Sequence, residues 1–348
     1  MADTSARLTH LSHGGGGGSK IAPAILEKIL AGLTPGVVPP QLLVGVRSGD
    51  DAAVYQINEQ QAIVAATDFY TPIVDDPFDF GCIAAAGAIS NIYAKGATPL
   101  FALALVGMPV NVLSLDVIGK VLEGGESVCR QIGIPVAGGH TIDSVEPIYG
   151  LVVIGLMSPG HLKRNTGARP GDRLIVAKPL GVGVYSTALR RGMLGNGDYE
   201  ALLASTTRLN TPGPLLSCLE GVHAVTDVSG FGVLGHVLGL CRGSGVAARL
   251  DFASLPLLGR ALAFAAAGCV TGASGRNWVS YGQHVRLPDW IGDKERALLT
   301  DPQTSGGLLV ACAPDTATEV LSVFLQQAFT HVSPIGELGE GEPSIEVF

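Results

Sequence analysis

The chain has 348 residues, 47% apolar and only 15% charged, with a net charge of −8 and an isoelectric point near 5.4. That length accommodates two cored domains, and the acidic balance argues against nucleic acid or an anionic membrane as the main partner. Mean hydropathy is positive at +0.38, yet no apolar run approaches the ~18 residues of a membrane helix.

The N-terminus, MADTSARLTH, has no apolar signal-peptide core. The six cysteines are scattered, without a Cys-x-x-Cys pair, as in a cytoplasmic protein whose thiols are reduced and mostly buried. Glycine, at 48 residues, is about twice its average usage, which points to a turn-rich α/β protein.

The first distinctive stretch is Leu8 to Lys20, LTHLSHGGGGGSK. Five glycines, Gly14 to Gly18, contribute nothing to a core, but their N–H groups are free to meet anions. Ile21 to Leu30 follows as an amphipathic helix with Pro23 in its first turn. The loop is either a disordered leader or a flexible cover that delivers Lys20 to the helix start. It is not a P-loop, because the order is Gly18-Ser19-Lys20-Ile21.

Leu42 to Val46 reads as a strand running into Arg47-Ser48-Gly49-Asp50-Asp51. Adjacent carboxylates repel, so the pair sits either in water at a hairpin turn or around a cation. Ala62 to Thr67 is a further strand, ending on Asp68. A helix is expected from about Phe78 to Lys95. Its small residues, Ala84 to Ala88, permit close packing, and Asn91 is either a satisfied amide or a ligand contact.

A strand from Leu100 to Val106, a helix from Ser114 to Gln131 and a strand from Ile134 to Ala137 come next. Gly138-Gly139-His140-Thr141 reads as a Gly-rich turn whose N–H groups suit phosphate. Ile148 to Met157 reads as a central strand, and the Pro/Gly-rich run from Ser158 to Gly171 as a domain boundary.

Beyond it, a new strand unit opens at Asp172. Gly181 and Gly183 begin a dinucleotide fingerprint that lacks its third glycine and its acidic partner, and that reading fails. Helices are expected near 184–193 and 199–209. A strand then ends on Asp227, either a metal ligand or part of the N-cap region of a helix over 233–242. His236 reads as a packed or surface histidine, and Thr300 to Val310 as a structural turn into a strand.

One device recurs: acidic or amide residues at strand ends or glycine turns (Asp50, Asp51, Asp68, Asn91, Asp227), beside a Gly-Lys loop. Mg2+ favours a few carboxylates plus substrate phosphates. Phosphoryl transfer needs positioning and charge neutralisation more than covalent chemistry. The constellation suits Mg-nucleotide chemistry.

The segments HGGGGGSKIAP, RSGDDAAVY, TDFYTPIVDDPFDFGCIAAAGAISNIYAKG, PVAGGHTID, KPLGVG, VTDVSGFGVLGH and DPQTSGGLL resemble selenophosphate synthetase (selenide, water dikinase) in order and spacing along essentially the whole chain. DPQTSGG and the acidic turns are shared with aminoimidazole ribonucleotide synthetase, thiamine-monophosphate kinase and a hydrogenase-maturation ATPase. The resemblance implies a two-domain α/β fold of the aminoimidazole ribonucleotide synthetase type, with N-terminal strands forming a barrel at a homodimer interface. The division expected is a glycine loop and leading helix at 1–47, an ATP-binding domain at 48–158 and a C-terminal α/β domain at 170–348. The implied reaction converts ATP, selenide and water to selenophosphate, AMP and phosphate.

By the same resemblance, Asp51, Asn91 and Asp227 are Mg2+ ligands. Ser48, Gly49, Asp50, Asp68, Asn91, Gly139, His140 and Thr141 contact ATP. Lys20 is the essential lysine, which neutralises charge on the transferring phosphates once the loop closes.

The chain departs from the family at Gly17, where a catalytic cysteine or selenocysteine is expected, at Ser19, where a second cysteine often stands, and at Asn91, where the family has aspartate. A thiolate is the natural carrier for selenium at neutral pH. The alternative reading is therefore a thiol-lacking relative that binds or hydrolyses ATP without making selenophosphate.

Overall fold

Period-two alternation in AIVAATDFY sends Ala62, Val64, Ala66, Asp68 and Tyr70 to one face of a strand, and all five are buried. This is β3 (Ala62–Tyr70) of the computed structural model, which describes residues 7–32, 36–46 and 50–348. The other strands of its sheet are β1 (Leu42–Val44), β2 (Ala53–Gln56), β4 (Thr98–Met108), β5 (Val136–Asp143) and β6 (Ile148–Met157). The order is β1-β2-β3-β6-β4-β5. The nearly all-apolar β6 lies between β3 and β4, antiparallel to both.

One face of this sheet is covered by α2 (Pro77–Ala94), which packs against α3 (Leu115–Gln131). The run from Ala84 to Ala88, expected to permit close packing, is buried throughout, and the closest approach to α3 is made at glycines. A Cβ at Gly81 of α2 would fall under 3.0 Å from the Val121 carbonyl oxygen, and one at Gly124 of α3 under 3.0 Å from that of Phe78. The two helix backbones therefore touch where both lack side chains. The opposite face carries Ile63, Ala65, Phe69, Val152, Ile154, Leu103 and Leu105, none of them buried.

The second sheet is built from β7 (Arg173–Val176), β8 (Val222–Asp227), β9 (Ala247–Leu250), β10 (Val285–Arg286), β11 (Leu308–Cys312), β12 (Ser333–Gly339) and β13 (Ile345–Val347). Its order is β10-β13-β9-β12-β7-β11-β8. The helices of this half include α4 (Val182–Arg190), α5 (Asn196–Thr206), α6 (Gly213–Ser217), α7 (Gly232–Ser244), α8 (Ala261–Ala266) and α9 (Gly272–Tyr281), of which α4, α7 and α9 matter for the site. The end of α2 forms the seam between the sheets. Ala94 packs with Ile175, Val225 and Leu308 of the second sheet, while Ile83, Ile89 and Ile92 pack with the first.

Two local readings are corrected. Asp68 does not end its strand; β3 continues to Tyr70, and the Asp68 side chain lies on the buried face. The stretch Gly138 to Thr141 is not a turn but the middle of β5, which pairs in parallel with β4 through Gly139↔Ala104, His140↔Leu105 and Thr141↔Val106. Glycine permits this close approach, because a Cβ at Gly139 would meet the Ala104 backbone.

The leading helix is α1 (Pro23–Ala31), with proline in its first turn as expected, but none of its residues is buried. The helices over 232–244 and 115–131 and the strand over 148–157 lie within one or two residues of their expected positions. Among the described residues no helix is long and apolar enough to cross a membrane.

Candidate active site

The glycine loop is seated on the fold. Leu8 and Thr9 are buried, and the Thr9 hydroxyl donates to Asp75 at 2.6 Å while Arg7 pairs with the same carboxylate at 2.7 Å. Burial would raise the Asp75 carboxyl, but these hydrogen bonds hold it below its ordinary value. Gly16 to Ser19 then form a single 3-10 turn.

The Gly16 N–H donates to the Thr71 carbonyl at 2.9 Å, and the Gly17 N–H to the Thr304 hydroxyl at 2.8 Å. Arg276 of α9 donates to the Gly18 carbonyl at 2.9 Å. The run DPQTSGG, expected to be only a structural turn, is thus the surface that holds the loop. Thr304 is a site residue that the reading of the sequence missed.

Seating the loop aims Lys20 inward. Its ammonium lies 3.1 Å from Asp68 Oδ2, which also accepts from the Tyr70 hydroxyl at 2.7 Å. Burial would depress Lys20, but the charges of Asp68, Asp227 and Asp51 outweigh it and raise its pKa, so the lysine is cationic.

Asp227, at the end of β8, accepts from Ser90 of α2 at 2.7 Å, and Ser90 accepts from Asn210 at 2.7 Å. Burial, then the charge of Asp51, pushes the Asp227 carboxyl up to about 7. Asp51 accepts from the Thr226 hydroxyl at 2.9 Å. Lys95, one helical turn beyond Asn91, forms ion pairs with both Asp50 and Asp51. Its spacing from Asn91 was the signal that could have found it.

Lys20, Asp50, Asp51, Asp68, Asn91 and Thr226 line one cavity of about 1270 Å³. Asp227 does not line it but acts electrostatically with Asp51, Lys20 and Asp68, and accepts from Ser90. His236 of α7 also lines it. Its ring stacks on Phe231 and its Nε2 accepts from the Ser229 N–H at 2.9 Å; burial lowers its pKa to about 3, so it is neutral. Ser48 and Gly49 lie outside the described residues.

Gly139, His140 and Thr141 are exposed on β5, the edge strand beyond β4, and do not line this cavity. Gly17 is buried under Thr304 and Gln303. All six cysteines are free, Cys218 alone is exposed, and none lines either cavity described here.

A second cavity, of about 890 Å³, is lined by the loop itself and shares Lys20 with the first. Among the described residues, Arg190, Arg191 and Arg276 line it and no acidic residue does.

Among the described residues no three His, Cys, Asp or Glu side chains are placed to enclose a metal by themselves. The donor set nonetheless suits a hard cation. The charge of Asp51 on buried Asp227, with a smaller push from Asp68, marks a cluster in need of positive charge.

Asp301 gives a pH test away from this cluster. Burial pushes its carboxyl up to about 7, although it accepts from the Gly183 N–H at 2.9 Å. A raised carboxyl pKa means the folded state binds the proton more tightly than the unfolded chain, so stability is lost as pH rises from about 4 through about 7. Asp301→Asn is expected to narrow the difference in melting temperature between pH 5 and pH 8, measured by thermal unfolding without nucleotide. An unchanged difference counts against a protonated Asp301.

The AIR synthase related protein, N-terminal domain family matches residues 49–157, and its C-terminal domain family matches residues 169–347. The chain is 65% identical over 347 residues to the selenide, water dikinase of Dechloromonas aromatica (strain RCB), covering 100% of both chains. This chain belongs to the selenide, water dikinase family. The dikinase of Pseudomonas straminea is 58% identical, covering 99% of this chain and 97% of the relative.

Among solved structures, thiamine-monophosphate kinase from Stenotrophomonas maltophilia K279a superposes with a TM-score of 0.65 at 23% identity, covering 93% and 95% of the two chains. HypE in complex with ATP gives 0.62 at 17%, covering 89% and 87%. At such identities these establish a shared fold. They fit the two α/β units and the aminoimidazole ribonucleotide synthetase-like architecture expected of a dikinase. Nothing in the comparisons favours a relative without dikinase activity.

Proposed function

We propose that this chain makes selenophosphate from selenide, ATP and water, releasing AMP and phosphate. Mg-ATP would be held by Asp51, Asn91 and Asp227 as metal ligands and by Ser48, Gly49, Asp50 and Asp68 as nucleotide contacts. Lys20 would lie over the transferring phosphates. The observation that carries the reading is the Lys20 ammonium, brought by the seated glycine loop to within 3.1 Å of Asp68 in the carboxylate cluster. Mg2+ there would supply charge neutralisation for the phosphates.

Lys20 is a fixed cation on the loop side of the cavity and acts on developing phosphate charge without reorganising. Selenide, an anion at neutral pH, would approach Lys20 through the arginine-lined cavity, not the acidic one.

The exposed apolar face of the first sheet supports a homodimer; Phe69 is 53% exposed there. Among the described residues, β5 has no strand on its outer edge. Contact of Gly139, His140 and Thr141 with ATP would then require a second copy, because these residues lie off this chain's own cavity. The division at 1–47, 48–158 and 170–348 is proposed as the functional one, with β1 joining the ATP-binding sheet. A cytoplasmic location accords with the free thiols.

The test is anaerobic phosphorus NMR of the full chain with Mg-ATP, with and without selenide. Selenophosphate and AMP appearing together, only with selenide, are expected. ATP left unchanged, or ADP and phosphate formed regardless of selenide, would overturn the proposal.

A further inference from the structure

Lys95 is the residue that caps the C-terminal end of α2, at the seam between the two sheets, and its side chain is completely buried. Its ammonium meets Asp50 Oδ1, Asp51 Oδ2 at 3.1 Å and the Val225 carbonyl oxygen at 3.2 Å. Two carboxylates and a backbone carbonyl are the oxygen donors that a hard divalent cation takes. A charged lysine is almost never fully buried unless paired, and an ion pair this deep loses much of its attraction to desolvation.

A helix packed between two apolar sheets has no need of an ammonium at this position. The two carboxylates do need a cation. Burial would depress Lys95, but the charges of Asp51 and Asp50 more than reverse that and keep it protonated.

The cluster's charges give Lys95 a role. Asp50, Asp51, Asp68 and Asp227 are four carboxyl groups, Lys20 and Lys95 are two ammoniums, and Asn91 is neutral. Asn91, in the last turn of α2, and Lys95, its C-cap, stand four residues apart. An amide at the first and an ammonium at the second both reduce the negative charge that metal ions would otherwise have to balance.

We propose that the Lys95 ammonium stands in for a divalent cation between Asp50 and Asp51, so that this chain loads nucleotide with one metal ion fewer than it would with a neutral residue at 95. The inference rests on the reading that the cluster holds Mg-ATP. Lys95 acts through the two aspartates and is a positioning residue. It fixes Asp50 and Asp51 before any metal arrives, which leaves Asp51 pre-aimed at the cavity.

The test counts metal ions. The full chain is titrated with Mn2+, with and without a non-hydrolysable ATP analogue, and free Mn2+ is followed by electron paramagnetic resonance. Lys95→Met is expected to bind one more Mn2+ per chain than wild type. It is also expected to lose melting temperature in EDTA and to regain most of the loss in millimolar Mn2+.

A purely structural ion pair predicts equal counts and the same loss of melting temperature with or without Mn2+; either result overturns the proposal. Lys95→Gln, which keeps a donor for the Val225 carbonyl, carries the same comparison if the methionine variant does not fold. The wild-type count by itself tests the magnesium reading, so failure of one is distinguishable from failure of the other.

Discussion

Lys20→Met is expected to lower kcat for selenophosphate formation by about 1000-fold, while KM for ATP moves by less than about tenfold. The ammonium sits against Asp68, and the charges of Asp68, Asp227 and Asp51 all act on it. Those carboxylates already hold a cation, the Lys20 ammonium itself. Binding ATP and metal exchanges one set of charge contacts for another, so ground-state affinity changes little.

In the transfer step, charge builds on the phosphoryl oxygens, and a fixed ammonium meets that charge without reorganising. The loss therefore falls on kcat. Arginine is not a substitute. The lysine stem passes over Gly230, where even a Cβ would lie 3.0 Å from Lys20 Cδ, and a planar fork needs more room. Steady-state kinetics of Lys20→Met and Lys20→Arg check this. A kcat within tenfold of wild type in the methionine variant removes Lys20 from the chemistry.

The second large effect concerns Gly17. The family resemblance places a thiol here, and restoring it by Gly17→Cys is the obvious way to raise turnover. The structure predicts the opposite for the seated loop. A Cβ on Gly17 would drive into the Gln303 carbonyl oxygen and come within 3.1 Å of Gly230 Cα. Both obstacles are backbone, which cannot rotate away.

The Gly17 N–H also holds Thr304 at 2.8 Å, so any outward shift of the loop breaks that bond. Overpacking of this kind costs about 2 kcal/mol, which lowers the ratio of seated to unseated loop roughly 30-fold. Gly17→Ala and Gly17→Cys are therefore expected to lose turnover alike, and both to become sensitive to proteolysis between 14 and 20. A cysteine variant more active than wild type, beside an impaired alanine variant, would show that thiol chemistry outweighs the seated geometry.

Which parts of this were legible beforehand follows from the range of the interactions. The strand alternation in AIVAATDFY and the alanine run of α2 are local patterns, and each appears in the structure within a few residues of where it was expected. The His140 region misled because two glycines signal a turn only when no neighbouring strand recruits them, and β4 does. DPQTSGG misled for a related reason. Its polar residues look like solvent contacts, whereas Thr304 is buried and spends its hydroxyl on the glycine loop.

The sequence by itself determined the class of the protein: an acidic, glycine-rich α/β chain with carboxylates near strand ends, a lysine after five glycines, and motifs that place it among the selenide, water dikinases. Composition and periodicity act over one or two turns of chain and survive without tertiary context. Only the tertiary structure decided which charges meet. Gly17 reaches Thr304 across 287 residues, Ser90 reaches Asp227 across 137, and Lys95 reaches Asp50 across 45. Such contacts follow from how two sheets dock along α2. No pattern within one segment encodes that docking, because each partner's side chain is compatible with solvent until the other arrives.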